Sequence, residues 1–276
     1  MKKPNLFDYA TSELSQDAFI CWLLKWSNPE YIEVSKELHL CGTEIIKTFF
    51  NKHNVEYPKV IESVEIFKQD KNIDVLCIVN SIYPIIIEDK TTTVEHSDQL
   101  TRYFEDIKNR AYDLDKIIRI YFKTYDQSDY DSIKEQGYEI FNRKDLLQIL
   151  NKYEIDNDIF NDFKDRMNQI QADVDSYKIL PISEWNWNSW IGFYMELQQI
   201  LGDGSWGYVA NQRGGFLGLW WNFIEKQEYT IHLQIETEKG EKVKENGEET
   251  FGMLFYADVF SFEEELHREM EKIVIM

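Results

Sequence analysis

Apolar positions along residues 11–27 recur every four residues, at Leu14, Ala18, Trp22 and Trp26, with Phe19 and Leu23 beside them. That spacing predicts a helix with one apolar stripe. Thr11 or Ser12 can cap its start, and Asn28-Pro29 stops it. A second helix is expected over about 33–53. After Pro58 the period changes. Residues 60–67 and 73–79 read as strands separated by the turn Gln69-Asp70-Lys71-Asn72, and after Asn80-Ser81 a third strand runs over 83–90. Ile85-Ile86-Ile87 has no polar alternation, which predicts a central strand covered on both faces. The helical period returns over about 96–112, with Leu100, Phe104, Ile107 and Ala111 on one side. Residues 117–122 and 138–141 then read as a fourth and a short fifth strand, and 144–151 and about 158–172 as helices.

A helix, a three-strand meander, a helix and a further strand predict an α/β fold with a mixed central sheet flanked by helices. The pattern changes after about residue 175. Six of the eight tryptophans lie between Trp185 and Trp221. A helix over 185–201 is followed by strand-like runs at 205–210, 216–224, 229–235 and 250–257, separated by turn signals at Gly202-Asp203-Gly204 and Gly214-Gly215. Residues 237–249 read as a charged hairpin tip or loop, and 262–273 as a final helix. Two domains are expected: a core over 1–175 and a tryptophan-rich, mainly antiparallel α+β subdomain over 176–276.

Composition narrows the function classes. The chain has 276 residues, 43% of them hydrophobic, too many for a disordered chain. No run approaches the ~18 apolar residues of a membrane-spanning helix, so no membrane partner is expected. Cys21, Cys41 and Cys77 are odd in number and widely spaced, which predicts neither a disulfide frame nor a zinc site and suggests a reducing, cytoplasmic setting. The net charge is −20. Residues 1–170 carry 22 basic and 31 acidic side chains and the remainder 8 and 19. Neither part is basic, which argues against coating nucleic acid through a broad cationic face but leaves room for a local groove and a metal site.

The chemistry concentrates in Ile73-Asp74-Val75-Leu76 and Ile85-Ile86-Ile87-Glu88-Asp89-Lys90. Side chains alternate across a strand, so Glu88 and Lys90 share one face and Asp89 takes the other. A tight connection brings Asp74 alongside Glu88. Two carboxylates with water and phosphate oxygens suit Mg²⁺, a hard cation that keeps several waters. An adjacent ammonium can stabilise developing negative charge. The bland alternative is a salt bridge at a strand end.

Asp74 followed by Glu88-x-Lys90 on an apolar strand resembles the PD-(D/E)XK nuclease superfamily, although Ile73 stands where its name has proline. Gln99-x-x-x-Tyr103 resembles the QxxxY element of RecB-like and lambda-exonuclease-like nucleases. Glu13 resembles the first-helix glutamate that joins the metal site in several members, including archaeal Holliday-junction resolvases. The opening from Phe7 to Phe19 looks like an uncharacterised bacterial branch, and the resemblance covers about residues 5–145. It implies a restriction-endonuclease-like core with Asp74, Glu88 and Lys90 as catalytic residues. It further implies Mg²⁺ or Mn²⁺ on Asp74, Glu88, Glu13 and the carbonyl of Asp89, and a substrate strand, with DNA expected, against Gln99 and Tyr103.

Other residues carry less. Glu65 is expected to face solvent and His96 to be a loop histidine. Arg213 beside Gly214-Gly215 reads as a turn. The tryptophans could stack bases, but core or partner packing is the favoured reading. The five histidines show no zinc-hydrolase spacing, and neither a P-loop nor a Rossmann glycine pattern occurs. The expected function is a metal-dependent nuclease. The alternative is a nuclease fold without catalysis, kept as a binding or regulatory module, which the strong acidity would suit.

Overall fold

The computed structural model describes residues 3–93, 98–211, 215–225, 230–237, 243–245, 248–250 and 255–256. The expectations for His96, Arg213 and the helix over 262–273 fall outside them, as do most of residues 237–249. The chain divides into two compact units, residues 1–171 and 172–276.

The first unit contains α1 (Glu13–Lys25), α2 (Lys36–Lys52), β1 (Val64–Asp70), β2 (Ile73–Val79), β3 (Tyr83–Lys90), α3 (Gln99–Asn109), β4 (Ile118–Lys123), α4 (Asp131–Glu135), β5 (Glu139–Asn142), α5 (Arg143–Leu150) and most of α6 (Asp158–Asp175). Its five strands lie in the order β1-β2-β3-β4-β5. The β1–β2 and β2–β3 pairs are antiparallel, and β3–β4 and β4–β5 are parallel. This is the α/β fold with a mixed sheet expected from the pattern, in the restriction-endonuclease-like arrangement that the resemblance implies.

The middle strand β3 is covered on both faces. Ile85 and Ile87 pack with Phe19, Ile46, Phe49 and Phe163 on the side of α1, α2 and α6. Ile86 packs with Leu100, Tyr103 and Ile107 of α3. All three isoleucines are fully buried, each worth about 1.5–3 kcal/mol of transfer free energy. The hairpin between β1 and β2 turns through Lys71 and Asn72, both at positive φ (50° and 74°), as a two-residue turn of the primed type requires. Asn80 secures the next connection: its Oδ1 accepts from the Glu62 and Ser63 amides at 2.7 and 3.2 Å, and its Nδ2 donates to the Val60 carbonyl at 2.9 Å.

One expectation is corrected on α1. Its core face is not the Leu14–Ala18–Trp22–Trp26 stripe. Leu14 is 57% exposed, whereas Phe19, Ile20, Leu23 and Leu24 are buried together with Gln16 and Asp17. Trp22 and Trp26 instead line an open aromatic groove with Tyr31, Val34 and Ile66. Gln16 faces inward because it finds buried partners in Asp89 and Thr124, which a hydrophobic count cannot register.

In the second unit, α7 (Trp187–Leu201) begins with a capping box between Asn186 and Ser189 and ends at Gly202 in the left-handed region. It is followed by β6 (Ser205–Val209), β7 (Phe216–Glu225), β8 (Thr230–Glu236), β9 (Val243–Glu245), β10 (Glu248–Thr250) and β11 (Phe255–Tyr256). Four strands form an antiparallel sheet ordered β11-β8-β7-β6, and β9 pairs with β10. Ile191, Tyr194, Trp206, Leu217, Leu219 and Ile235 form its core. Trp206 donates to Gln198 Oε1 at 3.0 Å, and Trp187 remains 46% exposed. Among the described residues no helix is long and apolar enough to cross a membrane.

Candidate metal and catalytic centre

The site is built where β2 begins and β3 ends. The last ladder pair there is Val75 opposite Ile87, and one residue further out stand Asp74 and Glu88. Alternation from Leu76 and Ile86 puts both side chains on the α3 side of the sheet. The antiparallel register sets the two residues opposite each other, and Glu88 feels the Asp74 charge. Asp74 is oriented by the Asp89 amide, which donates to its Oδ2 at 3.0 Å, and by Gln69, whose Nε2 donates to its Oδ1 at 3.4 Å. The Lys90 ammonium donates to Glu88 Oε1 and lies 3.4 Å from the Asp89 carbonyl oxygen. Glu88 is fully buried, and its second oxygen, Oε2, has no donor among the described residues.

Parallel pairing with β4 sets Tyr121 beside Glu88 and Lys123 beside Lys90. Lys123 is buried and donates to the Thr93 carbonyl. The Thr93 hydroxyl donates to Glu13 Oε1 at 2.5 Å, and the Thr91 amide and hydroxyl donate to the same oxygen at 3.2 and 3.4 Å. Glu13, at the first turn of α1, is thereby fixed at the outgoing end of β3. On α3, Gln99 Nε2 donates to the Tyr103 hydroxyl at 2.5 Å.

Asp89 turns its side chain to the opposite face. Its Oδ1 accepts from Gln16 Nε2, and Gln16 Oε1 accepts from the Thr124 hydroxyl at 2.7 Å. Asp17 lies next to it with 1% exposure. Buried carboxyl groups so close cannot all ionise cheaply. Burial and then the Asp74 charge raise Asp17 to about 6. Burial raises Asp89 well above the usual carboxyl range, against the pull of Gln16.

On the α3 face of the sheet, burial and then the Asp74 carboxylate push Glu88 up to about 8, against the attraction of Lys90. Burial alone would lower Lys90, but Glu88, Asp74 and Glu13 outweigh it and hold the ammonium above its ordinary value. Lys123 is lowered to about 8 because burial exceeds the attraction of Glu13.

The structure thus brings together Asp74, Glu88 and Lys90, with Glu13 reaching the same strand end through Thr91 and Thr93. Gln99 and Tyr103 share one face of α3, and Tyr103 senses the Glu88 and Asp74 charges. Only the carbonyl of Asp89, not its carboxylate, lies on the Lys90 side. Lys123, Asp17 and Gln16 were not singled out by sequence. For Lys123 the available signal was its place at the end of the strand after the Glu88-x-Lys90 strand.

The donor set suits a hard divalent cation: two carboxylates on opposed strand positions and the same sheet face, one carrying a buried oxygen that lacks a donor among the described residues. Among the described residues no three acidic, histidine or cysteine side chains form a ready-made cage.

The model of the PD-(D/E)XK nuclease superfamily matches residues 4–186. The chain belongs to that superfamily. No curated protein and no solved structure matches it.

Proposed function

We propose that this protein hydrolyses phosphodiester bonds in DNA, using Mg²⁺ or Mn²⁺ held by Asp74 and Glu88, with Glu13 and the Asp89 carbonyl as further oxygen donors. The observation that carries this reading is the buried, donor-free Glu88 Oε2 beside Asp74 and Lys90. A bound divalent cation would neutralise phosphate charge and lower the pKa of a water molecule. The chain's own groups do the rest. Lys90, tethered by Glu88, presents its ammonium to the charge that develops on the phosphate oxygens. The Asp89 amide fixes the rotamer of Asp74, so that the carboxylate pair is organised before substrate arrives. Gln99 and Tyr103 orient the substrate strand through an amide and a phenol, both able to hydrogen-bond phosphate. The first domain, 1–175, carries the chemistry, and the tryptophan-rich 176–276 segment is an accessory domain.

Calorimetric titration with Mn²⁺ tests the metal site. The wild-type protein should bind, and Asp74→Asn should weaken binding at least tenfold, since a neutral amide replaces one of two charged donors. Equal affinity in the two proteins rejects the site. The titration also has a defined pH dependence. Glu88 is raised from 4.5 in the unfolded chain to about 8 in the fold, so the metal-free protein loses stability as pH rises through that window. Below about pH 8 the cation must displace the Glu88 proton. Mn²⁺ affinity should therefore rise about tenfold per pH unit between pH 6 and 7.5 and level off above 8. A flat profile contradicts the role of Glu88.

A third expected result concerns α3. Gln99→Ala should reduce cleavage several-fold at subsaturating substrate, because one hydrogen bond to the strand is worth about 0.5–1.5 kcal/mol. Mn²⁺ affinity should stay unchanged. Wild-type cleavage in this variant removes α3 from the active site.

A further inference from the structure

A polar recess of about 420 Å³ lies beside the site, lined by Lys71 and Asn72 from the β1–β2 turn and by Gln99, Arg102, Tyr103 and Asp106 from α3. Its volume is that of a small-ligand site, too small to admit a duplex and large enough for a unit of one strand. It shares Gln99 and Tyr103 with the catalytic centre, and Tyr103 feels the Glu88, Asp74 and Lys90 charges. Asn72 stands two residues before Asp74, and Tyr103 packs with Leu76 and Ile86, the same-face neighbours of Asp74 and Glu88, so the recess lies on the sheet face that carries the carboxylate pair.

The charges of its lining run against those of the rest of the chain. Lys71 and Arg102 come from separate elements and oppose a single acid, Asp106, in a protein of net charge −20. That acid is already engaged: Arg110 Nε donates to Asp106 Oδ2 at 2.9 Å, and Lys71 Nζ lies 3.0 Å from its Oδ1. Asp106 thus holds Lys71 in place without leaving the recess acidic. Arg102 is exposed, and its guanidinium has no hydrogen bond or ion pair among the described residues. Lys71 also sits at φ 50°, in the left-handed region, which costs a residue with a long side chain about 1 kcal/mol or more relative to glycine. The turn projects a cation where glycine would have been the less strained choice.

We propose that this recess binds a backbone phosphodiester of the substrate strand next to the one being cleaved, with Lys71 and Arg102 as its cations and Asn72 as a neutral donor. The proposal rests on the nuclease reading above and extends it by assigning the path of a single strand across α3.

The test measures binding of a fluorescent single-stranded oligonucleotide to the full chain over a range of salt concentrations, in a Lys90→Ala background with Mn²⁺ present. Each phosphate contact on a single strand contributes about 0.7 to the slope of log K against log salt. Arg102→Gln and Lys71→Gln should each lower the slope by about 0.7 and weaken binding several-fold, without changing Mn²⁺ affinity. Lys47→Gln, an exposed position on α2, serves as the charge control and should leave the slope unchanged. If the parent binds and the two recess variants keep its slope, the recess proposal is overturned while the nuclease reading stands. An equal fall in the Lys47 variant also overturns it, because the effect is then one of overall charge. If the parent neither binds nor, with Lys90 restored, cleaves any nucleic acid, the nuclease reading fails and takes the recess with it.

Discussion

Replacing Lys90 by alanine should reduce cleavage by about 10²–10³-fold or more at saturating substrate, the loss typical of removing one preorganised charge from a transition state. Lys90 sits at 8% exposure at the end of β3, its ammonium bound to Glu88 and surrounded by the charges of Asp74 and Glu13. An arginine should not restore the rate, because a planar guanidinium cannot occupy the position of a compact ammonium between Glu88 and the Asp89 carbonyl. The fold should survive. Without Lys90, nothing opposes the effects of burial and Asp74 on Glu88, so its pKa rises further above 8. At pH 6 Glu88 is then neutral with or without Lys90, and the stability loss is small. Above pH 8 the loss should grow, because an unpaired buried carboxylate must either ionise or hold its proton against the solvent. Single-turnover cleavage and denaturation at two pH values measure both effects. Cleavage within about threefold of wild type removes Lys90 from the catalytic group.

The largest stability effect is expected at Arg143. Its side chain is 1% exposed at the start of α5. Nη2 donates to Asp126 Oδ2 at 2.6 Å, Nη1 to the Thr124 carbonyl at 2.6 Å, and Nε to Gln171 Oε1 at 3.1 Å. Thr124 in turn donates to Gln16, which donates to Asp89. A buried polar chain therefore runs from Arg143 to the α1 side of β3. Arg143→Met fills similar space but takes the guanidinium away from the Thr124 carbonyl and the Asp126 carboxylate. Breaking a buried pair from one side costs about 3–5 kcal/mol, or roughly 10 °C in midpoint for a domain of this size. Lysine should recover only part of this, since one ammonium cannot reproduce three directed donors. Thermal unfolding followed by circular dichroism checks it, and a shift under about 3 °C contradicts the assigned role.

These two residues mark how far the sequence could be read. Asp74, Glu88 and Lys90 were legible because strand alternation is local: once Ile85-Ile86-Ile87 reads as a central strand, the faces of Glu88, Asp89 and Lys90 follow. The β1-β2-β3 meander was legible because its connections are short, whereas the parallel pairing of β4 and β5 was not specified. Arg143, Gln16 and Lys123 were not legible, because a buried polar side chain has the same local pattern as an exposed one, and its partners lie far away in sequence. Gln16 meets Thr124 across 108 positions, and Lys123 becomes a neighbour of Lys90 only through the parallel β3–β4 register. The α1 face was misjudged for this reason too. Leu14 and Trp22 outweighed Gln16 and Asp17 on any hydrophobic scale, yet the polar pair is buried and Leu14 faces solvent.

The proposed role of Asp74 and Glu88 in holding a divalent cation that works with Lys90 on phosphodiester bonds is decided by incubating plasmid and single-stranded DNA with the wild-type protein and with Asp74→Ala, in Mg²⁺, in Mn²⁺ and in EDTA. The wild type should cleave only when a divalent cation is present, and Asp74→Ala should not cleave under any condition. Cleavage by Asp74→Ala at the wild-type rate, or wild-type cleavage that persists in EDTA, would contradict that role.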